Sequence, residues 1–413
     1  MDRYHNVLQE LYARQTRRGM KLGVERVRAL LDAVGAPDVH LKSVLVAGTN
    51  GKGSTCAFAR TLFAAAGERV GLYTSPHLSR FTERIQVDGV EIAQPDVVAL
   101  HARVLTAAQG LGMEPTFFEL TTVMALRHFA DVGVQRAVLE VGMGGRLDAT
   151  NAARVVACAI TPVDLDHMAY LGNTLPEIAA EKAGIIRPGV PVVVAPQDKA
   201  AWDVIAAVAA EKGAPLRAVT AGEGVTGALG LAGEHQRVNA AVALALVEAA
   251  GVVLTAQHKE HALASTRWPG RLERVTARGT NWMLDGAHNP HGARALKRAL
   301  AQDATRFGAW VVAASGDRDV GALVAAAREG GAVVPPLVVA TQPRVGTAVP
   351  AAVTAARLRA AGVVQVEAVS DVDVALTRAA EDGPVVVWGS LYMLGEARAR
   401  LLGEGLDDVA LSG

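Results

Sequence analysis

Short β-branched runs alternate with alanine-rich helical stretches along almost the whole 413-residue chain. The runs Val44–Ala47, Val70–Tyr73, Ala137–Val141, Val155–Thr161 and Val192–Ala195 read as buried strands. Helical patterns at Val97–Ala108, Thr121–Phe129, Ile178–Ala183 and Trp202–Lys212 separate them. A second series follows at Trp282–Asp285, Trp310–Ala314, Leu337–Ala340, Val364–Ala368 and Val385–Trp388. A helix between successive strands is the crossover that parallel pairing needs. The pattern therefore predicts the α/β class, a mostly parallel sheet with helices on both faces. Hydrophobic residues make up 51% and aromatics only 4%, so the core must be built from Ala, Val and Leu. The chain is too long for one typical core. The turn signal Trp268-Pro269-Gly270 divides it into an expected first domain, residues 1–268, and a smaller Rossmann-like α/β domain, residues 269–413.

Formal net charge is zero, so no overall field favours nucleic acid or an anionic membrane. Cys56 and Cys158 sit in apolar contexts without a C-x-x-C partner, which fits a reducing compartment. Residues Met1 to Arg18 carry charges and no apolar core of signal-peptide length, and no apolar run is long enough to span a bilayer. The expectation is a cytoplasmic monomer.

Residues Gly48 to Ser54 read G-T-N-G-K-G-S, between the apolar run Val44–Ala47 and a helical pattern over Thr55–Ala66. Strand, glycine loop, lysine, hydroxyl and helix are the parts of a phosphate cradle. Backbone N–H groups are expected to point inward, and the helix start adds its positive end. The common rule is G-x-x-x-x-G-K-[ST]. Here Val46 stands where its first glycine would fall, and Gly53 separates Lys52 from Ser54. An ordinary glycine turn is the plainer reading. The coincidence of lysine, three glycines and the hydroxyls of Thr49, Ser54 and Thr55 favours ATP or GTP.

Open parallel sheets bind ligands beyond the carboxyl ends of their strands. Polar residues follow four strands of the first series: the glycine loop, Ser75 in T-S-P-H, Glu140, and the stretch from Thr161 to His167. A carboxylate ending an apolar strand is costly to bury unless paired or metal-bound, so Glu140 reads as a magnesium ligand or as the partner of Arg146. Taken alone, Ser75 is a turn serine, His167 a packed or solvent-facing histidine, and Lys182 a solvated helix lysine. In Thr116-Phe117-Phe118-Glu119, two aromatics could stack on a flat heterocycle whose N–H groups Glu119 accepts; a hydrophobic staple at a helix start fits equally well.

The segments G-T-N-G-K-G-S, Y-T-S-P-H-L, L-E-V-G-M-G-G-R-L-D-A-T-N, D-L-D-H and E-K-A-G-I occur in this order over Gly48 to Ile185. W-P-G-R-L-E, D-G-A-H-N-P and G-S-L-Y follow. This succession resembles the Mur ligase superfamily, and within it folylpolyglutamate synthase and its bifunctional form with dihydrofolate synthase. The resemblance implies that Thr49, Asn50, Gly51, Lys52, Gly53 and Ser54 hold the ATP phosphates, that Asn239 and Asp285 contact the adenosine part, and that Arg271 reaches the phosphates. It implies one magnesium at Ser75 and Glu140 with Ser54, a second at His167, and a carbamate on Lys182, and it leaves room for a potassium ion. Lys52, Glu140, His167, Lys182 and His288 would be the catalytic set, with Ser390 near the same cleft. Lys21, Leu22, Gly23 and Val24, Thr116–Glu119, and Leu147, Asp148 and Ala149 would line a dihydropteroate site. Lys21 departs from the family, where many relatives read close to D-L-G-L.

The implied reaction is ATP-dependent ligation of L-glutamate to dihydropteroate and to reduced folates through an acyl phosphate. An enzyme acting on folates alone is the alternative within the family. A nucleotide-binding switch is the alternative from another class, and it has no need of a second metal at His167 and Lys182.

Overall fold

The structure, a computed structural model, describes residues 2–14, 23–316, 320–329, 335 and 337–407. Lys21 and Leu22 lie outside the described residues. The chain divides into two units. The first holds Met1–Pro76, Thr82–Gly230 and His235–Arg267; the second holds His77–Phe81, Leu231–Glu234 and Trp268–Gly413. Among the described residues, no helix is long and apolar enough to cross a membrane.

The strands of the first unit are β1 (Lys42–Ala47), β2 (Val70–Tyr73), β3 (Ile85–Val87), β4 (Val90–Glu91), β5 (Arg136–Glu140), β6 (Val155–Ile160), β7 (Val192–Val194) and β8 (Leu216–Ala218). They form one sheet in the order β4-β3-β2-β5-β1-β6-β7-β8. From β2 to β8 every pairing is parallel; β3 and β4 add an antiparallel edge. The expected strands are all present. The additional β3, β4 and β8 are two or three residues long at the sheet edges, with exposed positions such as Val90.

The interior strand β1 is buried from Ser43 to Ala47. Leaving β1, the chain first builds β2 on one side and inserts β5 beside β1, then crosses to place β6 on the other side. The direction reverses at β1, and a crevice opens there beyond the carboxyl ends. The helix Lys52–Ala65 starts at that point. It buries Cys56, Ala57, Phe58, Ala59, Leu62 and Phe63 and packs against the alanine-rich helix His235–Ala249. Small side chains on both helices allow that close approach.

The second unit has the strands β9 (Glu273–Ala277), β10 (Thr280–Leu284), β11 (Ala309–Val312), β12 (Leu337–Ala340), β13 (Val366–Ala368) and β14 (Val385–Trp388). Their order is β13-β12-β11-β14-β10-β9, parallel except for the β9–β10 hairpin. One core contains Trp310 against Trp388, edge to face at 5.4 Å, and another contains Trp282, Leu376 and Met393. The early segment His77–Phe81 belongs to this unit. Leu78 packs against the second core, and the Ser79 hydroxyl donates to Gly395 O at 3.0 Å.

Candidate active site

The glycine loop occupies the turn between β1 and its helix. Gly51 is the N-cap, at φ 90°, and no side chain caps this helix start. A Cβ at Gly51 would lie 2.2 Å from Asn239 Oδ1, so only glycine fits against the helix His235–Ala249. The loop is fastened to the segment after β6. The Thr49 and Asn50 N–H groups both donate to Pro162 O, at 3.0 and 3.3 Å. The Thr49 hydroxyl donates to Asp164 O at 2.9 Å, and Asp164 N–H lies 3.0 Å from the same hydroxyl oxygen. These two N–H groups therefore do not turn into the loop, as the glycine pattern alone suggests. The donors left at the start of the helix are those of its first turn, beginning at Gly51, because helix geometry gives them no intrahelical acceptor. With the helix dipole they form the positive end of the crevice.

Two lysines meet on one carbonyl. Lys52 Nζ donates to Gly48 O at 3.1 Å and to Thr49 O at 3.2 Å. Lys182 Nζ donates to Gly48 O at 2.9 Å. Lys182 is 4% exposed, in a helix, Leu175–Ala183, whose sequence reads as a surface helix. Burial, and next the positive charge of Lys52, push the Lys182 amine down to about 7. An amine with that affinity for protons is partly neutral near pH 7 and nucleophilic.

Glu140 ends β5 and is buried; its Oε2 accepts from Ser75 N–H at 3.1 Å. Arg146 pairs with Glu181 at 2.8 Å, so this arginine is committed elsewhere. Gly142 marks where the site elements converge: a Cβ there would sit 3.4 Å from Ser75 Oγ, 3.3 Å from Asp148 Oδ2 and 3.2 Å from the Phe118 ring. Asp148 accepts from the N–H groups of Gly142 and Met143 through one oxygen and from Thr150 through the other. Burial nevertheless raises its pKa.

His167 has a left-handed backbone, φ 50°, at the start of the short helix Met168–Leu171, and its side chain is 42% exposed. Among the described residues, no group of three or more His, Cys, Asp or Glu could hold a metal by itself. The oxygens offered by Glu140, Ser75 and Ser54 suit a hard cation that completes its shell with phosphate and water.

The aromatic segment divides its labour. Thr116 caps the helix Phe117–Asp131 in a complete capping box with Glu119. Phe117 is buried, stacked on Tyr12 at 5.5 Å with the Arg84 guanidinium over its ring. Phe118 is half-buried and faces Gly142. Glu119 is buried, and Arg26 grips its carboxylate at 2.9 Å. Ala149 is buried and Leu147 exposed. Gly23 is the N-cap and Val24 the first residue of the helix Val24–Ala33.

In the second unit Asp285 follows β10. Its carboxylate accepts from Leu272 N–H at 3.0 Å and Ala287 N–H at 2.9 Å. Burial raises its pKa against the opposing charge of Arg271. The His288 ring lies 2.6 Å from Gly286 O, and Asn289 caps the helix Pro290–Gln302. Ser390 shares a 2.8 Å hydroxyl contact with Ser315.

Pro162 and Asp164 fall in the polar stretch from Thr161 to His167, but their part in fastening the loop, like the part of Arg26, has no sequence signal. A carbonyl that fastens a loop leaves no mark in the sequence. Arg26 lies 93 positions from Glu119.

A Mur ligase middle domain model matches residues 46–226, and a Mur ligase glutamate ligase domain model matches residues 270–391. The dihydrofolate synthase/folylpolyglutamate synthase of Bacillus subtilis is 36% identical over 315 residues, covering 69% of this chain and 73% of the relative. The structure of the Escherichia coli protein FolC in complex with DHPP and ADP superposes with a TM-score of 0.85 at 28% identity, covering 97% of this chain and 98% of that one. The bifunctional folylpolyglutamate synthase/dihydrofolate synthase of Yersinia pestis, complexed with AMPPNP and a Mn ion, superposes with a TM-score of 0.85 at 30% identity, covering 96% and 98%.

Proposed function

The chain belongs to the Mur ligase superfamily, in its folylpolyglutamate synthase/dihydrofolate synthase branch, and is an ATP-dependent ligase; from that premise we propose that it joins L-glutamate to dihydropteroate and to reduced folates. The observation that carries the reading is the meeting of Lys52 and Lys182 on Gly48 O beside an uncapped helix start, with Glu140 and Ser75 at the neighbouring strand ends.

A carboxylate is a poor electrophile, and its charge repels ATP. Lys52 and the free N–H groups of the helix start hold the phosphates and offset their charge. Thr49, Asn50, Gly53 and Ser54 shape the same loop, and Asn239, packed on Gly51, faces the nucleoside side. The fastening of the loop to Pro162 and Asp164 keeps this arrangement set before nucleotide arrives. Ser75, Glu140 and Ser54 would hold one magnesium and His167 a second, and these ions, when bound, would supply Lewis-acid stabilisation of the transferred phosphoryl group. The carboxylate oxygen attacks the γ-phosphorus, ADP leaves, and an acyl phosphate forms. The neutral amine of glutamate then attacks the acyl carbon, phosphate leaves, and the amine gives up its proton. In the second unit, Arg271 is assigned to the ATP phosphates, Asp285 to the adenosine part, His288 to catalysis and Ser390 to substrate.

Lys182 takes up carbon dioxide: its neutral amine forms the N–C bond and releases a proton. The resulting carbamate would replace a buried ammonium by an anion that suits cations held at Glu140 and His167. Phe118, with Gly23–Val24, Leu147, Asp148 and Ala149, forms the dihydropteroate side, Lys21 and Leu22 lying outside the described residues.

The test is ADP release with glutamate present, offering dihydropteroate and tetrahydrofolate separately. Turnover with both acceptors is expected, and turnover with tetrahydrofolate alone reduces the assignment to a folate-only enzyme. ADP release indifferent to glutamate and acceptor would support a nucleotide switch instead.

A further inference from the structure

Arg26 sits in the first turn of the helix Val24–Ala33, two residues past Val24, and is itself given no role by the family resemblance. Its guanidinium reaches across to the start of another helix. Nε donates to Glu119 Oε1 at 2.9 Å, Nη2 lies 3.4 Å from Glu119 Oε2, and Nη2 also donates to Glu114 O at 2.9 Å. Glu119 Oε2 meanwhile accepts from Thr116 N–H at 2.7 Å. A carboxylate has room for about four such bonds. Glu119 therefore has little capacity left for a ligand.

That distribution changes what the segment does. Glu119 cannot serve chiefly as the acceptor for a heterocycle's N–H groups while Arg26 and Thr116 hold both of its oxygens. Its buried charge is stable because Arg26 neutralises it with paired hydrogen bonds. The same contacts fix the backbone from Glu114 to Glu119. Arg14, at the end of the first helix, adds a bond to Pro115 O at 3.3 Å. Phe117 is locked by Tyr12 and Arg84, which leaves Phe118 as the ring of this segment facing Gly142. The direction of the Phe118 ring follows from the backbone that Arg26 clamps.

We infer that Arg26 is a positioning residue for the pteroate acceptor: through the Glu119 carboxylate and Glu114 O it sets the helix start that aims Phe118 into the acceptor site. This rests on the reading of Phe118 as an acceptor contact. Arg26 itself touches neither ATP nor the reacting carboxyl group in this account. Its loss should weaken acceptor binding and leave nucleotide handling alone.

The experiment compares Arg26→Met, Arg26→Lys and Phe118→Ala in steady-state kinetics, with thermal unfolding of each variant. Arg26→Met should raise KM for dihydropteroate about tenfold, the scale of one lost charge-assisted hydrogen bond, with kcat and KM for ATP within about twofold of the parent. Arg26→Lys keeps the charge but not the fork, and should recover part of the loss. In an Arg26→Met/Glu119→Gln double variant the penalties should not add, because both act through one contact. The inference is overturned by an unchanged acceptor KM in a stable Arg26→Met protein, by a parallel rise in KM for ATP and acceptor, or by additive penalties in the double variant. If Phe118→Ala leaves the acceptor KM unchanged, the premise about Phe118 fails and the inference falls with it. If Phe118→Ala raises that KM and Arg26→Met does not, the premise stands and only the role of Arg26 is lost.

Discussion

Two helix starts in the first unit carry opposite arrangements. The helix Phe117–Asp131 begins at Thr116 with both halves of a capping box made, and Glu119 is further held by Arg26. The helix Lys52–Ala65 begins at Gly51 with no capping side chain and with two lysines close by on Gly48 O. Both starts combine a hydroxyl, a charged residue and a turn. In the first, the capping donors and acceptors satisfy one another, so the segment is a support from which the Phe118 ring faces Gly142. In the second, the donors remain for an anion. An uncapped helix start beside two lysines is the arrangement that suits an anion.

The largest effect should come from the uncapped start. Lys52→Ala should lower glutamate-dependent phosphate release by about 10²–10³-fold, the scale seen when one preorganised charge-stabilising group is removed. Activity within tenfold of the parent would remove Lys52 from the phosphate site. Gly51→Ala comes next. The added Cβ meets Asn239 Oδ1 in a backbone conformation that disfavours side chains, so urea unfolding should show a loss of about 1–3 kcal/mol, and KM for ATP should rise. Thr116→Ala should cost about 1 kcal/mol by the same measurement and leave KM for ATP unchanged. A shift in ATP affinity there would erase the contrast between the two starts.

A subtler test uses pH. The Lys182 amine lies at about 7 in the folded protein, against an ordinary value of 10.5. Below pH 7 both states carry the proton, and the folded state bears the full cost of a buried ammonium. From pH 7 to 10.5 the unfolded chain binds more protons, so stability contributed by this group rises with pH. In buffer free of carbon dioxide, Lys182→Met should therefore raise Tm most near pH 6, and the gain should shrink toward pH 9. A gain independent of pH would contradict the burial of this amine as a titrating group.

The interior of both sheets was legible in the sequence because a strand buried on both faces reads as a continuous apolar run, as in Val44–Ala47 and Val385–Trp388. The edge strands β3, β4, β8 and β9 were not, since short half-exposed strands lack that signal and β-propensity depends on neighbours. The glycine loop was legible as a cradle, but not the diversion of its Thr49 and Asn50 N–H groups to Pro162 O, a contact set by tertiary placement. Lys182 is the sharpest case. A nine-residue helix with Glu177, Glu181 and Lys182 looks solvated, yet its position beside Gly48 buries the lysine. For Glu119 the sequence left a heterocycle acceptor and a hydrophobic staple equally open, and the structure places its carboxylate in a capping box with Thr116 and against Arg26.

The central claim is that the uncapped start presents ATP to a carboxylate. It is tested most directly by preparing dihydropteroate with labelled oxygen in its carboxyl group and analysing the products of turnover with ATP and glutamate. Activation through an acyl phosphate leaves one labelled oxygen in each phosphate released, in step with the dihydrofolate formed. Dihydrofolate formed with unlabelled phosphate would contradict the account.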